Sequence, residues 1–189
     1  MSDVIQIPTP KERVIYLADQ VDQSTINNLT KSIIEINDND RVLEKIYSIY
    51  DLEYRPKPIK IYVDSYGGYV YQCFGLLSVM DRSKTPIHTI VTGCAMSCGF
   101  LIAISGHRRF GYDKSTFMYH QVSSAAWGKA KAIEEDLTET LRLQKMIEKI
   151  TLEKTGISKK KLENNYKRKE DWFMDSKTAL KNRVIDEII

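Results

Sequence analysis

The chain is poor in the features that mark several large classes of protein. It has three cysteines in 189 residues, Cys73, Cys94 and Cys98. An odd count in apolar or small-residue surroundings argues against a disulfide framework and for packed, reduced thiols. Charge of one sign is not in excess: 28 basic residues stand against 25 acidic ones, a mixed, solvated surface that lends nothing to nucleic-acid binding. Long apolar runs are missing as well. None approaches the ~18 residues of a membrane span, and the first residues lack the basic-then-apolar pattern of a secretion signal. A soluble, cytoplasmic protein is expected, with no membrane contact. Repeats and low-complexity tracts are absent. Cys94 and Cys98, without a further ligand cluster, make a poor zinc site, so no metal is expected.

What is present is a core. Hydrophobic residues make up 42% of the chain, enough for one domain with an appendage but not for two independent domains. Residues 1–13, with Pro8 and Pro10, read as an irregular arm. A short strand follows at residues 14–17. A helix capped by Asp22 or Ser24 carries Ile26, Leu29, Ile33 and Ile36 on one face. The polar run Asn37-Asp-Asn-Asp40 reads as its stop, and Val42, Ile46 and Ile49 as a second helix ended by Pro56 and Pro58. From there strands and helices alternate: a strand at 59–63, a Gly67-Gly68 turn, a helix carrying Val70, Phe74, Leu77 and Met80, and a strand at 87–92. A buried helix over 97–104 and strands at 108–112 and 117–121 follow. This alternation indicates an α/β fold with a mostly parallel sheet and functional loops at strand ends. Residues 129–154 form a helix too long for so small a sheet, about 39 Å at 1.5 Å per residue, which should project and find burial against another subunit. A basic segment over 159–169 and a last helix capped by Asp175 or Ser176 complete the chain.

The most informative stretch is Gly93-Cys-Ala-Met-Ser-Cys-Gly-Phe100. It sets Ser97 among small residues between a strand and a helix, the kind of turn that holds a hydroxyl out for attack while the following amide, on Cys98, points at the developing oxyanion. A serine needs a base within hydrogen-bond reach and a carboxylate to fix the imidazole tautomer. Of His88, His107 and His120, only His120 ends an apolar strand as a site residue would, although a strand-end histidine is more often satisfied by backbone groups. Among 25 acidic residues, Asp171 stands out by preceding a bulky apolar trio, but from the residues alone capping a helix or turn is the favoured use for it. Gly67-Gly68 can bring backbone close to a substrate and supply a second oxyanion donor, or can be an ordinary tight turn.

Taken in order, Asp64-Ser-Tyr-Gly-Gly-Tyr-Val70, Gly93-Cys-Ala-Met-Ser-Cys-Gly99, Met118-Tyr-His-Gln121 and Asp171-Trp-Phe-Met resemble the proteolytic subunits of the Clp protease, the ClpP family, over about residues 12–189. The resemblance implies a ClpP/crotonase-like spiral of ββα units. A head (residues 14–120 and 155–189) would carry a protruding handle (residues 121–154), made of an extended strand at 121–129 and the long helix. It implies a serine endopeptidase with Ser97 as nucleophile, His120 as base and Asp171 as orienting acid. The amides of Gly68 and Cys98 would form the oxyanion hole, and Gly67, Tyr69, Gln121 and Val122 the edge that holds a substrate strand. Partners implied are further copies of the chain, as heptameric rings stacked into a tetradecamer, and an AAA+ unfoldase of the ClpX or ClpA type. ATP would be used only by that unfoldase, since this chain has no phosphate-binding loop and needs no cofactor of its own. Where the family usually has Asn-Ser-Pro-Gly-Gly, this chain has Asp64-Ser-Tyr-Gly-Gly68, which adds a charge and a bulky ring near the substrate groove. The paired glycines of the handle are Ser123-Ser124, and Glu170 replaces the arginine before the acid. The alternatives are a catalytically silent ring component of the same fold, or a crotonase-like acyl-CoA enzyme that dispenses with the triad.

Overall fold

The apolar runs that follow each helical connection become parallel strands, as the alternation predicts. In the computed structural model, which describes residues 12–189, β1 (Val14–Leu17), β2 (Ile59–Ser65) and β3 (Ile87–Met96) pair side by side. The helices α1 (Gln23–Ile49) and α2 (Val70–Arg82) form the connections between them. The sheet continues through β4 (Arg108–Gly111) to β7 (Glu187–Ile188), all parallel. Leu17, Ile33, Ile61, Leu76, Met80 and Phe100 are among the side chains fully withdrawn from solvent at its centre. The arm expected over residues 1–13 lies almost wholly outside the described residues.

β3 is the pivot of the architecture. Its first half, residues 88–91, pairs with β4, whereas residues 94–96 pair with β5 (Thr116–Tyr119). Between the halves β3 bulges: Val63 faces Val91, but Ser65 faces Ala95. The extra residues are held by Asp64, whose Oδ1 accepts the Cys94 N–H at 2.8 Å, and a side chain on Gly93 would collide with that carboxylate. Asp64 therefore faces the bulge, not the groove beside Ser97 where the sequence suggested an added charge. Past the bulge the strand is re-aimed, as bulges do next to functional sites.

α1 corrects the expectation of two helices. Asp22 caps it, accepting the Thr25 N–H at 2.8 Å, but the helix runs straight through Asn37-Asp-Asn-Asp40 to Ile49. Asn37 and Asp40, one turn apart, are not breakers here because tertiary partners take up their side chains. The Asn37 Nδ2 donates to the Ile33 carbonyl and to Ser83 Oγ, and its Oδ1 accepts the Lys84 and Thr85 N–H groups. Asp40 is buried and accepts from Arg13, from Tyr54 Oη at 2.6 Å and from Thr85 Oγ1 at 2.6 Å. Burial pushes the Asp40 carboxyl up, but these three donors outweigh it and hold the group below the usual aspartate value of 3.8. Burial and the same carboxylate raise the Tyr54 phenol to about 12. The network ties β1, α1 and the chain before β3 together. Asp40→Ala leaves the guanidinium of Arg13 uncompensated, and is expected to lower the unfolding free energy by about 3 kcal/mol, measured by urea titration. Because the folded carboxyl titrates below its unfolded value, this contribution is complete above pH 3.8 and is lost as pH falls beneath it. The variant's stability should therefore fall less than the wild type's across that range.

α4 (Ala130–Lys154) has the expected length, 25 residues. Its second half packs on the head through Leu143, Gln144, Ile147 and Thr151, while Ile133, Leu137 and Leu141 on the first half are exposed. Residues 121–129, expected as a strand, form none within the single chain. The Val122 N–H goes instead to Gln144 Oε1 at 2.8 Å, and Trp127 is 96% exposed. A strand needs a neighbour for its backbone groups, and one chain does not provide it.

Candidate active site

Three strand ends converge on Ser97, His120 and Asp171. Ser97 follows β3 and caps α3 (Cys98–Ile104) with φ 52 and ψ −120, outside the usual backbone regions for a residue with a side chain. What holds it there is packing on both sides. Its N–H extends the β3·β5 ladder to the Met118 carbonyl at 3.1 Å. Gly67 lies beneath it so closely that an added Cβ would come 2.7 Å from the Ser97 Cβ and 2.9 Å from the Cys98 nitrogen. The expected helix start at Ser97 is thus a sharp turn with the helix beginning one residue later.

His120 is the residue after β5, and Asp171 the residue before β6 (Trp172–Asp175), a strand that pairs antiparallel with β5. Tyr119 faces Trp172 in this register, so the next pair along the ladder is His120 and Asp171. α5 (Lys159–Arg168) ends on Lys169 in the left-handed conformation, which turns the chain into β6 and sets Asp171 at its head. β6 is a finding that the sequence reading lacked; its aromatic, strand-favouring Trp-Phe-Met was the available signal. His120 Nδ1 and Asp171 Oδ1 are 3.9 Å apart, with the imidazole largely covered and the carboxylate 58% exposed. That separation is too long for a hydrogen bond. Glu170 turns away to Arg168 at 3.7 Å.

The other two histidines have structural partners. His107 Nδ1 accepts the Ile87 N–H at 3.0 Å, and His88 packs on Phe110 with ring centroids 5.6 Å apart. Cys73 and Cys94 offer no rival nucleophile, and Cys98, although the neighbouring Cys73 thiol lowers its pKa, is 1% exposed and donates to the Gly68 carbonyl. Burial, then Asp64, raises the Cys94 thiol to about 11, and the neighbouring Cys98 thiol together with complete burial pushes Cys73 well above its usual value.

Ser97 and His120 line one small cavity of about 100 Å³ together with Gly68, Gln121 and Val122. Gly68 reaches it through an isolated parallel bridge to Val21. That bridge uses the Gly67 carbonyl, which accepts the Val21 N–H, and the Tyr69 N–H, which donates to the Val21 carbonyl, each at 2.8 Å. Gly68's own backbone groups consequently face the other way, toward α3, where its carbonyl accepts the Cys98 thiol at 3.2 Å. Cys98 opens α3, so its N–H has no intrahelical acceptor. Of the four edge candidates Gln121 and Val122 line the cavity and Gly67 and Tyr69 do not: the N–H and C=O of Gly67 are taken by Ser65 Oγ and Val21, those of Tyr69 by Val21 and Cys73, and the rings of Tyr66 and Tyr69 are exposed. A wider groove of about 630 Å³ lies between α1 and α2 around Asp40 and Thr85. It contains none of these residues, so chemistry, not volume, selects the smaller cavity as the candidate site.

Among the described residues no cluster of His, Cys, Asp and Glu is arranged to hold a metal, and no helix is long and apolar enough to cross a membrane. The family model for Clp protease matches residues 3–189. That span takes in every segment on which the resemblance was drawn, and the mostly parallel α/β sheet with its flanking helices is compatible with the ClpP/crotonase-like fold. The chain belongs to the Clp protease family.

Proposed function

We propose that the protein is a serine endopeptidase of the ClpP type, hydrolysing peptide bonds of unfolded proteins or short peptides through an acyl-enzyme. The observation that carries this reading is the placement of Ser97, on its high-energy turn, in one cavity with His120, while the β5·β6 register puts Asp171 opposite His120. Ser97 Oγ attacks the peptide carbonyl as His120 takes its proton. The oxyanion forms toward the Gly68 and Cys98 amides. His120 returns the proton to the leaving amine as the C–N bond breaks, and water, deprotonated by His120, then hydrolyses the ester and regenerates Ser97. Asp171 fixes the imidazole tautomer, which requires the 3.9 Å contact to close to about 2.7–3.0 Å. Substrate binding or assembly supplies that closure. The subunit uses no cofactor in this reading.

The handle is proposed as the contact between stacked heptameric rings. Ile133, Leu137 and Leu141 recur every four residues on the half of α4 that the head leaves uncovered, next to the exposed Trp127. Such a stripe is buried only by another copy, and residues 121–129 would gain the strand partner that the single chain lacks. An AAA+ unfoldase would thread substrates into the chamber so formed. The test is fluorophosphonate labelling of fractions separated by native mass. Label on Ser97 in a tetradecamer, absent from Ser97→Ala, is the expected result. Tetradecamer without label favours the catalytically silent ring component.

A further inference from the structure

Gln144, on α4, makes contacts that neither its own helix nor the acyl-transfer steps require. It is 5% exposed, and both ends of its amide are engaged. The Oε1 accepts the Val122 N–H and the Nε2 donates to Glu148 Oε1, each at 2.8 Å. Val122 stands two residues beyond His120 and lines the cavity that holds Ser97. One turn earlier α4 meets the same segment again, where Thr140 Oγ1 and Ser124 Oγ are hydrogen-bonded at 3.1 Å. Ser124 is one of the two serines that stand in place of the family's paired glycines. The two spacings match. Four residues of helix rise about 6 Å, and two residues of extended chain span about 6.6 Å, so residues 122–124 are laid out along α4 in extended form and antiparallel to it.

We infer that Gln144, on the peptidase reading above, is a positioning residue for the edge that receives a substrate strand: by holding the Val122 N–H it fixes residues 121–124 in extended form before substrate arrives. An amide suits this task because it accepts at one end and donates at the other. Glu148, one turn on, holds the Nε2 and so keeps the Oε1 aimed at Val122. In extended chain the backbone groups of successive residues turn to opposite sides. With the Val122 N–H turned to α4, those of Gln121 and Ser123, which also line the cavity, are turned away from the helix and left for a substrate. Val122 is thus the edge residue whose N–H is spent within the chain. An edge ordered beforehand spares the substrate the entropy of ordering it; without Gln144 that cost falls on binding. His120 directly follows the β5·β6 ladder and Ser97 is held by the packing around its turn, so the chemical step does not depend on this contact.

The test measures kcat and KM for a fluorogenic peptide long enough to lie along residues 121–124, and the rate at which a small fluorophosphonate labels Ser97. It compares wild type, Gln144→Met, and the exchange of Gln144→Glu with Glu148→Gln, in fractions of equal native mass. Methionine keeps the length of glutamine without its acceptor, whereas the exchange keeps an acceptor for the Val122 N–H and a donor beside it. Gln144→Met is expected to raise KM about tenfold while kcat and the labelling rate stay within about twofold, the signature of lost substrate binding. The exchange is expected to bring KM back to within about threefold of wild type. An unchanged KM in Gln144→Met overturns the inference, as does an exchange that restores nothing. A labelling rate that falls in step with the rise in KM, or a Gln144→Met protein that no longer reaches the wild-type mass, also overturns it, since Gln144 then supports the whole site or the assembly and not the edge. Absence of both label and cleavage in wild type overturns the peptidase reading, and this inference with it.

Discussion

Ser97→Gly is expected to abolish peptide cleavage, by on the order of 10⁴-fold or more, while making the protein more stable to urea by about 1 kcal/mol. Both effects come from one backbone geometry. At φ 52 and ψ −120 a residue with a Cβ lies where sterics disfavour it, at about 1–3 kcal/mol. The surrounding packing, not the serine's own preference, maintains the turn. Glycine adopts it without that steric cost, and the net gain is smaller than the strain because glycine also gives up more freedom on folding. Ser97→Ala separates the two effects: it loses the hydroxyl but keeps the Cβ, and should lose cleavage equally with no gain in stability. Equal urea midpoints for the Gly and Ala variants would show that the strain at this turn does not exceed glycine's greater loss of freedom on folding.

Gly67→Ala should impair the same site from beneath. The new Cβ meets the Met96 carbonyl at 2.7 Å, the Ser97 Cβ at 2.7 Å and the Cys98 nitrogen at 2.9 Å, at a residue whose φ is +99. Backbone atoms cannot swing aside as a flexible side chain would, so the turn bearing Ser97 and the Cys98 N–H must shift. A displacement approaching 1 Å costs about 10²-fold in kcat/KM, and overpacking together with the unfavourable φ about 2–3 kcal/mol in stability. Gly75→Ala is the matched control. Nothing lies within 4 Å of its added Cβ, and inside α2 alanine should stabilise by about 0.5–1 kcal/mol. Peptide kinetics and urea titration on the two variants measure the contrast; full activity in Gly67→Ala would sink the claim that this contact positions Ser97.

Much of this site could be read before any coordinates, because the signals were local. Small residues between an apolar strand and an apolar helix described the Ser97 turn, and a histidine ending an apolar strand described His120. The parts that escaped were those in which a distant partner overrides a local preference. Asn37 and Asp40 have the composition of a helix stop, and side chains of this kind do compete with the helix backbone. Ser83, Thr85, Arg13 and Tyr54 take up that hydrogen-bonding capacity, and none of them is visible from the polar run itself. β6 was missed because four residues between two helical segments carry too little pattern to announce a strand, yet its register is what brings Asp171 to His120. The family motif alone puts the charge of Asp64 near the groove, and only the bulge in β3 reveals where its carboxylate goes.

The pairing of β6 with β5 bears on when, and not only where, the site exists. Ser97 and His120 come from strands close in the chain, whereas Asp171 returns to the sheet only after the whole excursion through α4 and α5. Closing so long a loop is among the slower and more entropically demanding steps of folding. A subunit can therefore have its central strands in place while the carboxylate is still absent. The pairing also works in reverse: a short outer strand frays at lower free energy than the core, so peeling four residues away from β5 separates Asp171 from His120 without unfolding the protein. For the peptidase proposed above, that order of events amounts to a safety catch.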